Sequence, residues 1–124
     1  MGLITELGVG SIAVDTAIFI YFIEENPRFL SEIVPLFKEA DQGRRELITS
    51  ALTLLEVLVV PYRAGNRRLA ERYEALLTRS RGIRLVELSH DQLRAAAQLR
   101  AATSIKTPDA LQLVAAIGED AQRF

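Results

Sequence analysis

The sequence predicts an α/β protein: a three-layer α/β/α sandwich around a central parallel sheet. Three observations carry that prediction. Short apolar, β-branched runs recur singly along the chain, and longer stretches of helical period separate them. Each run is followed by two helical stretches, giving the order β-α-α-β-α-α-β-α-α. Single strands alternating with helices pair in parallel and are covered on both faces.

The first strand is SIAV, residues 11–14. Asp15 ends it, and a helix is predicted from Ala17 to Glu25 with Thr16 as its cap. Asn26-Pro27 breaks the chain. The next helix runs from Glu32 to Gln42, with Ser31 as N-cap, Pro35 in the first turn and Gly43 as terminator. ELITS, residues 46–50, is the second strand. A helix follows from Leu52 to Ala64, disturbed at Pro61 and stopped by Gly65. Another starts at Asn66 and runs to Arg79. IRLVEL, residues 83–88, is the third strand. Ser89 and Gln92 have the spacing of a capping box, opening a helix to Thr103. Thr107-Pro108 opens the last helix, which reaches Ile117.

The chain has 124 residues, 49% hydrophobic and 25% charged, with a net charge of −1. That suits one compact domain over 1–124 with a real core. It carries no global field for nucleic acid or membrane. With no cysteine and a single histidine, His90, any metal must be held mainly by oxygen ligands. That favours Mg²⁺ or Mn²⁺. His90 follows a cap residue and reads as a surface side chain. The N-terminus lacks a signal-peptide head, and the apolar stretch 12–23 contains Asp15 and is too short to span a bilayer. A soluble, cytoplasmic protein follows.

Glu56 is the one ionisable group in LTLLEVLVV, residues 52–60. Burying a lone carboxylate is costly unless it is paired. The apolar neighbours leave the helix almost no solvent face. Asp15 sits at the carboxyl end of the first strand, and Glu56 lies one turn into the helix after the second. In open α/β sheets that rim is where ligands bind. Asp109, in TPDAL, lies in the first turn of the last helix. Each acid alone has a plainer reading: Asp15 as a turn or cap residue, Asp109 as a partner of the helix dipole. Together they suggest a carboxylate cluster at one rim. A divalent cation relieves the repulsion inside such a cluster and supports phosphodiester hydrolysis. Neither a phosphatase nor a receiver domain fits as well. The first wants an acid where Ala17 stands. The second wants paired early acids and a late lysine, and neither appears.

SIAVDTAIFIYFIEE, ITSALTLLEVLVVPYRAG and LRAATSIKTPDALQLVAA resemble, in order and spacing, the three main motifs of PIN-domain proteins. The nearest likeness is to VapC-type toxins of VapBC toxin–antitoxin pairs. The resemblance implies a five-stranded α/β/α sandwich and a Mg²⁺- or Mn²⁺-dependent endoribonuclease toxin. It also implies an RNA substrate, a homodimer, and neutralisation by a cognate antitoxin. It assigns metal binding and catalysis to Asp15, Glu56 and Asp109, with Thr16 and Thr107 supporting them. Relatives continue into a strand carrying a fourth acid or amide, whereas here the sequence reads AIGEDAQRF. Glu119 or Asp120 is the candidate substitute. The alternative reading is a catalytically impaired PIN-like binding module lacking that strand.

Arg63, Arg68 and Arg72 are either a solvated helix face or contacts for RNA phosphates or an acidic partner. Phe19, Tyr21, Phe22 and Phe29 are expected mainly in the core, some of them lining a groove for an antitoxin. Tyr62 and Tyr73 are candidates for a dimer interface.

Overall fold

The computed structural model describes residues 4–7 and 10–122, with side chains described for 10–117. Ten elements follow one another. They are β1 (Ile4–Leu7), β2 (Ser11–Val14), α1 (Thr16–Ile23), α2 (Leu30–Asp41), β3 (Glu46–Ser50), α3 (Leu52–Arg63), α4 (Arg67–Arg79), β4 (Ile83–Val86), α5 (His90–Ala102) and α6 (Thr107–Gln122).

The strands form one sheet in the order β1-β2-β3-β4. β2, β3 and β4 are parallel, with Ile12 opposite Leu47 and Ile48 opposite Arg84. This is the predicted three-layer sandwich. β1 was not anticipated. It pairs antiparallel with β2, from Ile4↔Val14 to Leu7↔Ser11, so the sheet is mixed. Its sequence, ITEL, lacks the continuous apolar run that announces SIAV; hairpin pairing with β2 is what holds it straight. A strand after α6, and the side chains of Glu119 and Asp120, lie outside the described residues.

Both crossovers, β2 to β3 and β3 to β4, step in the same direction across the sheet. A single crossover hand therefore puts α1–α2 and α3–α4 on one face. The strands obey this with period two. Ile12, Val14 and Leu47 pack into the main core with Ile18, Phe19, Phe37, Val57, Tyr73 and Leu77. Ile48 and Val86 point the other way and meet Ala115 of α6. α6 in turn packs on α5 through Ala96, Ala110 and Leu111. Fully burying a side chain such as Phe19 contributes about 1.5–3 kcal/mol.

The early aromatics are largely core, as expected. Phe19 meets Phe37 edge-on at 5.8 Å, and Phe22 stacks on Phe37 at 3.9 Å. Tyr21 stacks on half-buried Phe29 at 4.7 Å. Tyr73 does not belong to an interface: it is 1% exposed, and its hydroxyl donates to Glu24. Tyr62 is exposed.

Most helix ends match their signals. Asn66 Oδ1 caps α4 by accepting from the Leu69 N–H, and Ser89 and Gln92 form the reciprocal capping box. Two ends differ. Asp15, not Thr16, caps α1. α2 begins at Leu30, not Glu32, because the Asn26 carbonyl accepts from the Phe29 and Leu30 N–H groups and replaces a Ser31 cap. α3 continues through Pro61, which is buried.

Candidate functional site

Strand β2 delivers Asp15 to the carboxyl rim of the sheet. There the chain turns extended (φ −77°, ψ 158°), and the Asp15 carboxylate accepts from the Thr16 N–H at 2.7 Å. That bond is local capping chemistry. It fixes the side chain at the rim and commits one of its two oxygens.

Thr16 is nearly buried, and its hydroxyl turns toward α3. It donates to Glu56 Oε1 at 2.8 Å and touches Thr53 Oγ1 at 3.2 Å. Glu56 is half-buried and has found a hydroxyl partner. Thr53, one turn earlier on α3, contacts Thr49 of β3 at 2.7 Å. Gln112 of α6 closes the set. Its Nε2 donates to Thr53 at 2.8 Å and to Thr49 at 3.2 Å, while its Oε1 accepts from the Ser50 N–H at 2.9 Å.

Proton bookkeeping gives these bonds a direction. A hydroxyl has one proton and two lone pairs, and a carboxylate only accepts. The Thr16 proton goes to Glu56, so Thr53 donates to Thr16. Thr49 then gives its proton to Thr53 at 2.7 Å in preference to Gln112 Oε1 at 3.3 Å, and Thr53 also accepts from Gln112. The chain of donors runs from Gln112 through Thr53 and Thr16 to Glu56. Aligned hydrogen bonds polarise one another, so this order strengthens the terminal bond to the carboxylate.

Thr49, Thr53 and Gln112 were not anticipated as site residues. The signal existed: each is a polar residue set in an apolar run, the reasoning that singled out Glu56. All three are buried, at 1%, 0% and 8% exposure.

Asp109 is half-buried in the first turn of α6, where the Lys106 carbonyl accepts from the Ala110 N–H. It lies three residues before Gln112, on the same helix face. Among the described residues, no bond joins it to Asp15 or Glu56, and no three acidic or histidine side chains gather as ligands for one metal ion. The structure brings Asp15 and Glu56 together through Thr16; Asp109 stays one turn along α6 from that network. Thr107 is exposed and bonded to neither acid.

Arg63 and Arg68 are exposed, while Arg72 donates to the Ile23 carbonyl at 3.3 Å and so braces the end of α1. His90 is exposed, as expected. The expectation that α3 has no solvent face is corrected. Thr53, Val57, Leu58 and Pro61 face inward, but Leu55 is 61% exposed, Val60 66% and Tyr62 62%, with Val59 beside them. α3 lies on the outside of its layer and covers the core with only one side.

The fold and site together define a class: an α/β/α sandwich that carries acids and hydroxyls at the carboxyl rim of its parallel strands. Within that class the chain belongs to the PIN domain family, whose model matches residues 12–124. No curated protein and no solved structure matches it. No helix among the described residues is long and apolar enough to cross a membrane.

Asp15 and Glu56 each keep one carboxylate oxygen uncommitted. Mg²⁺ is often held by one or two carboxylates plus waters and substrate phosphate. Two carboxylates with one free oxygen each are donors of the type such a cation takes.

Proposed function

We propose that this PIN-domain chain acts as a binding module with an impaired or absent nuclease centre. The observation that carries this reading is the lack, among the described residues, of a three-acid group able to hold a metal. The uncovered apolar stripe of Leu55, Val59, Val60 and Tyr62 on α3, the helix of Glu56, supports a protein partner. A second copy of the chain and an antitoxin-like segment are the two occupants to compare. Exposed Arg63 and Arg68 suit RNA phosphates or an acidic partner.

A second reading is favoured by the Thr16 bridge: a Mg²⁺- or Mn²⁺-dependent endoribonuclease toxin of the VapC type, neutralised by an antitoxin. Asp15 and Glu56 would hold the cation, with Asp109 as a further acid. When bound, the cation would activate water and neutralise charge on the phosphoryl group. Thr16 would hold the Glu56 carboxylate in place, and the Gln112–Thr53 chain would hold Thr16.

Incubating the chain with end-labelled RNA and Mn²⁺ separates the two readings. Uncut RNA that is nonetheless retained is the expected result. Cleavage that disappears in both Asp15→Asn and Glu56→Gln would replace the module reading with the nuclease.

A further inference from the structure

The opposite edge of the sheet carries a second site. Gly10 precedes β2, Glu46 opens β3 and Gly82 precedes β4, so the three meet at the amino ends of the parallel strands. They line an open cleft of about 350 Å³ together with Gly43, Arg44, Arg45 and Arg81. Five residues of β3, at roughly 3.3 Å each, separate this edge from the carboxylate rim, on the order of 16 Å.

The charges in the cleft are unequally satisfied. Arg45 is paired with Glu39, and Glu46 with Arg84. Arg44 and Arg81 are exposed, and among the described residues neither guanidinium meets a carboxylate or a carbonyl. Two uncompensated guanidinium groups therefore share one cleft. The wall beside Arg81 is backbone. Gly43 has φ +78°, and a Cβ there would lie 3.2 Å from Arg81 Nη2 and 3.8 Å from its Cζ. Glycine lets the guanidinium lie against the turn; any side chain would press on it.

We propose that this cleft is a phosphate-binding site, with Arg44 and Arg81 as its ligands. One guanidinium fork satisfies both oxygens of a carboxylate, whereas a phosphate group offers further oxygens for a second fork. Two free forks on one cleft thus select phosphate. The phosphate is either that of an RNA backbone or that of a small phosphorylated ligand. The site stands apart from the carboxylate rim and does not depend on the nuclease reading.

The test uses the ¹⁵N-labelled chain in EDTA, so that no metal chemistry intervenes. Inorganic phosphate and a single-stranded RNA are titrated separately, with the amides of Gly10, Gly43 and Gly82 as reporters. Phosphate is expected to shift these amides, and Arg44→Ala or Arg81→Ala to weaken that binding about tenfold or more. If RNA binding also weakens in both variants, and its logarithmic salt slope falls by about 0.7 per arginine, the source is an RNA backbone. If RNA binding is unchanged while phosphate still shifts the glycines, the source is a small phosphorylated ligand. Both guanidiniums are exposed, so the variants should melt like the parent. Arg81→Lys should bind phosphate with intermediate strength. Unmoved glycine amides with phosphate, or amides that respond to poly-glutamate and not to phosphate, overturn the proposal.

Discussion

The Thr16 hydroxyl donates to Glu56 Oε1 at 2.8 Å, joining residues forty apart in sequence. It satisfies the one carboxylate in the apolar run of α3 and ties α1 to α3 at the carboxyl rim of the sheet. Thr16 also accepts from Thr53, so a single side chain terminates a donor chain that begins on α6.

Replacing Thr16 by Val keeps the shape and removes the proton. Glu56 then loses its donor and the Thr53 hydroxyl loses its acceptor. Thr16→Val should cost about 1–3 kcal/mol in urea unfolding, and Thr16→Ser should recover most of it. A neutral Thr16→Val would mean that the bond does not hold the rim together.

Asp15 has two jobs that a pair of variants can separate. Asp15→Ala removes the α1 cap and should cost about 1 kcal/mol, whereas Asp15→Asn still caps and should stay within a few tenths. In a domain of this size the alanine change should lower Tm by about 4 °C. Calorimetric titration with Mn²⁺ adds the second half. Binding lost in the asparagine variant at unchanged Tm assigns the carboxylate to the metal; equal Mn²⁺ binding confines it to capping.

Gln112 ties α6 to the end of β3 through the Ser50 N–H and Thr49, and to α3 through Thr53, all of them buried. Gln112→Leu fills the same space but leaves the Ser50 N–H and the Thr49 and Thr53 hydroxyls short of a partner. The expected loss is about 3 kcal/mol by denaturant melts. A loss below about 0.5 kcal/mol, the range of ordinary surface changes, would show the network to be dispensable.

Tyr73 predicts a pH dependence. Burial, reinforced by the hydrogen bond to Glu24 and that residue's charge, raises its phenol well above the ordinary value of 10.0. The folded state therefore keeps a proton that the unfolded chain releases. Its stabilising contribution is complete below pH 10 and declines as pH climbs from there toward the raised folded value, with a limiting slope of about 1.4 kcal/mol per pH unit. Unfolding free energies between pH 9 and 11 should fall more steeply for the parent than for Tyr73→Phe. Parallel curves would contradict the assignment.

Local signals located most of the elements. The Ser89–Gln92 box, the Asn66 cap and the β-branched run at 46–50 each act within a few residues, and the structure retains them. β1 escaped because its order comes from pairing with β2, outside its own four residues. At the site, Asp15 and Glu56 were legible from their places after two parallel strands. Their linkage through Thr16 was not, and neither was the role of Gln112.

The sequence alone determined the order of elements from β2 to α6, the parallel pairing of β2, β3 and β4, and the need to satisfy Glu56, because periodicity, capping and the cost of a buried charge are local matters. Tertiary structure alone decided which partner satisfies it, that Tyr73 is core, and that α3 leaves an apolar side uncovered. Those outcomes depend on how helices distant in sequence pack, and so on distances that no stretch of a few residues contains.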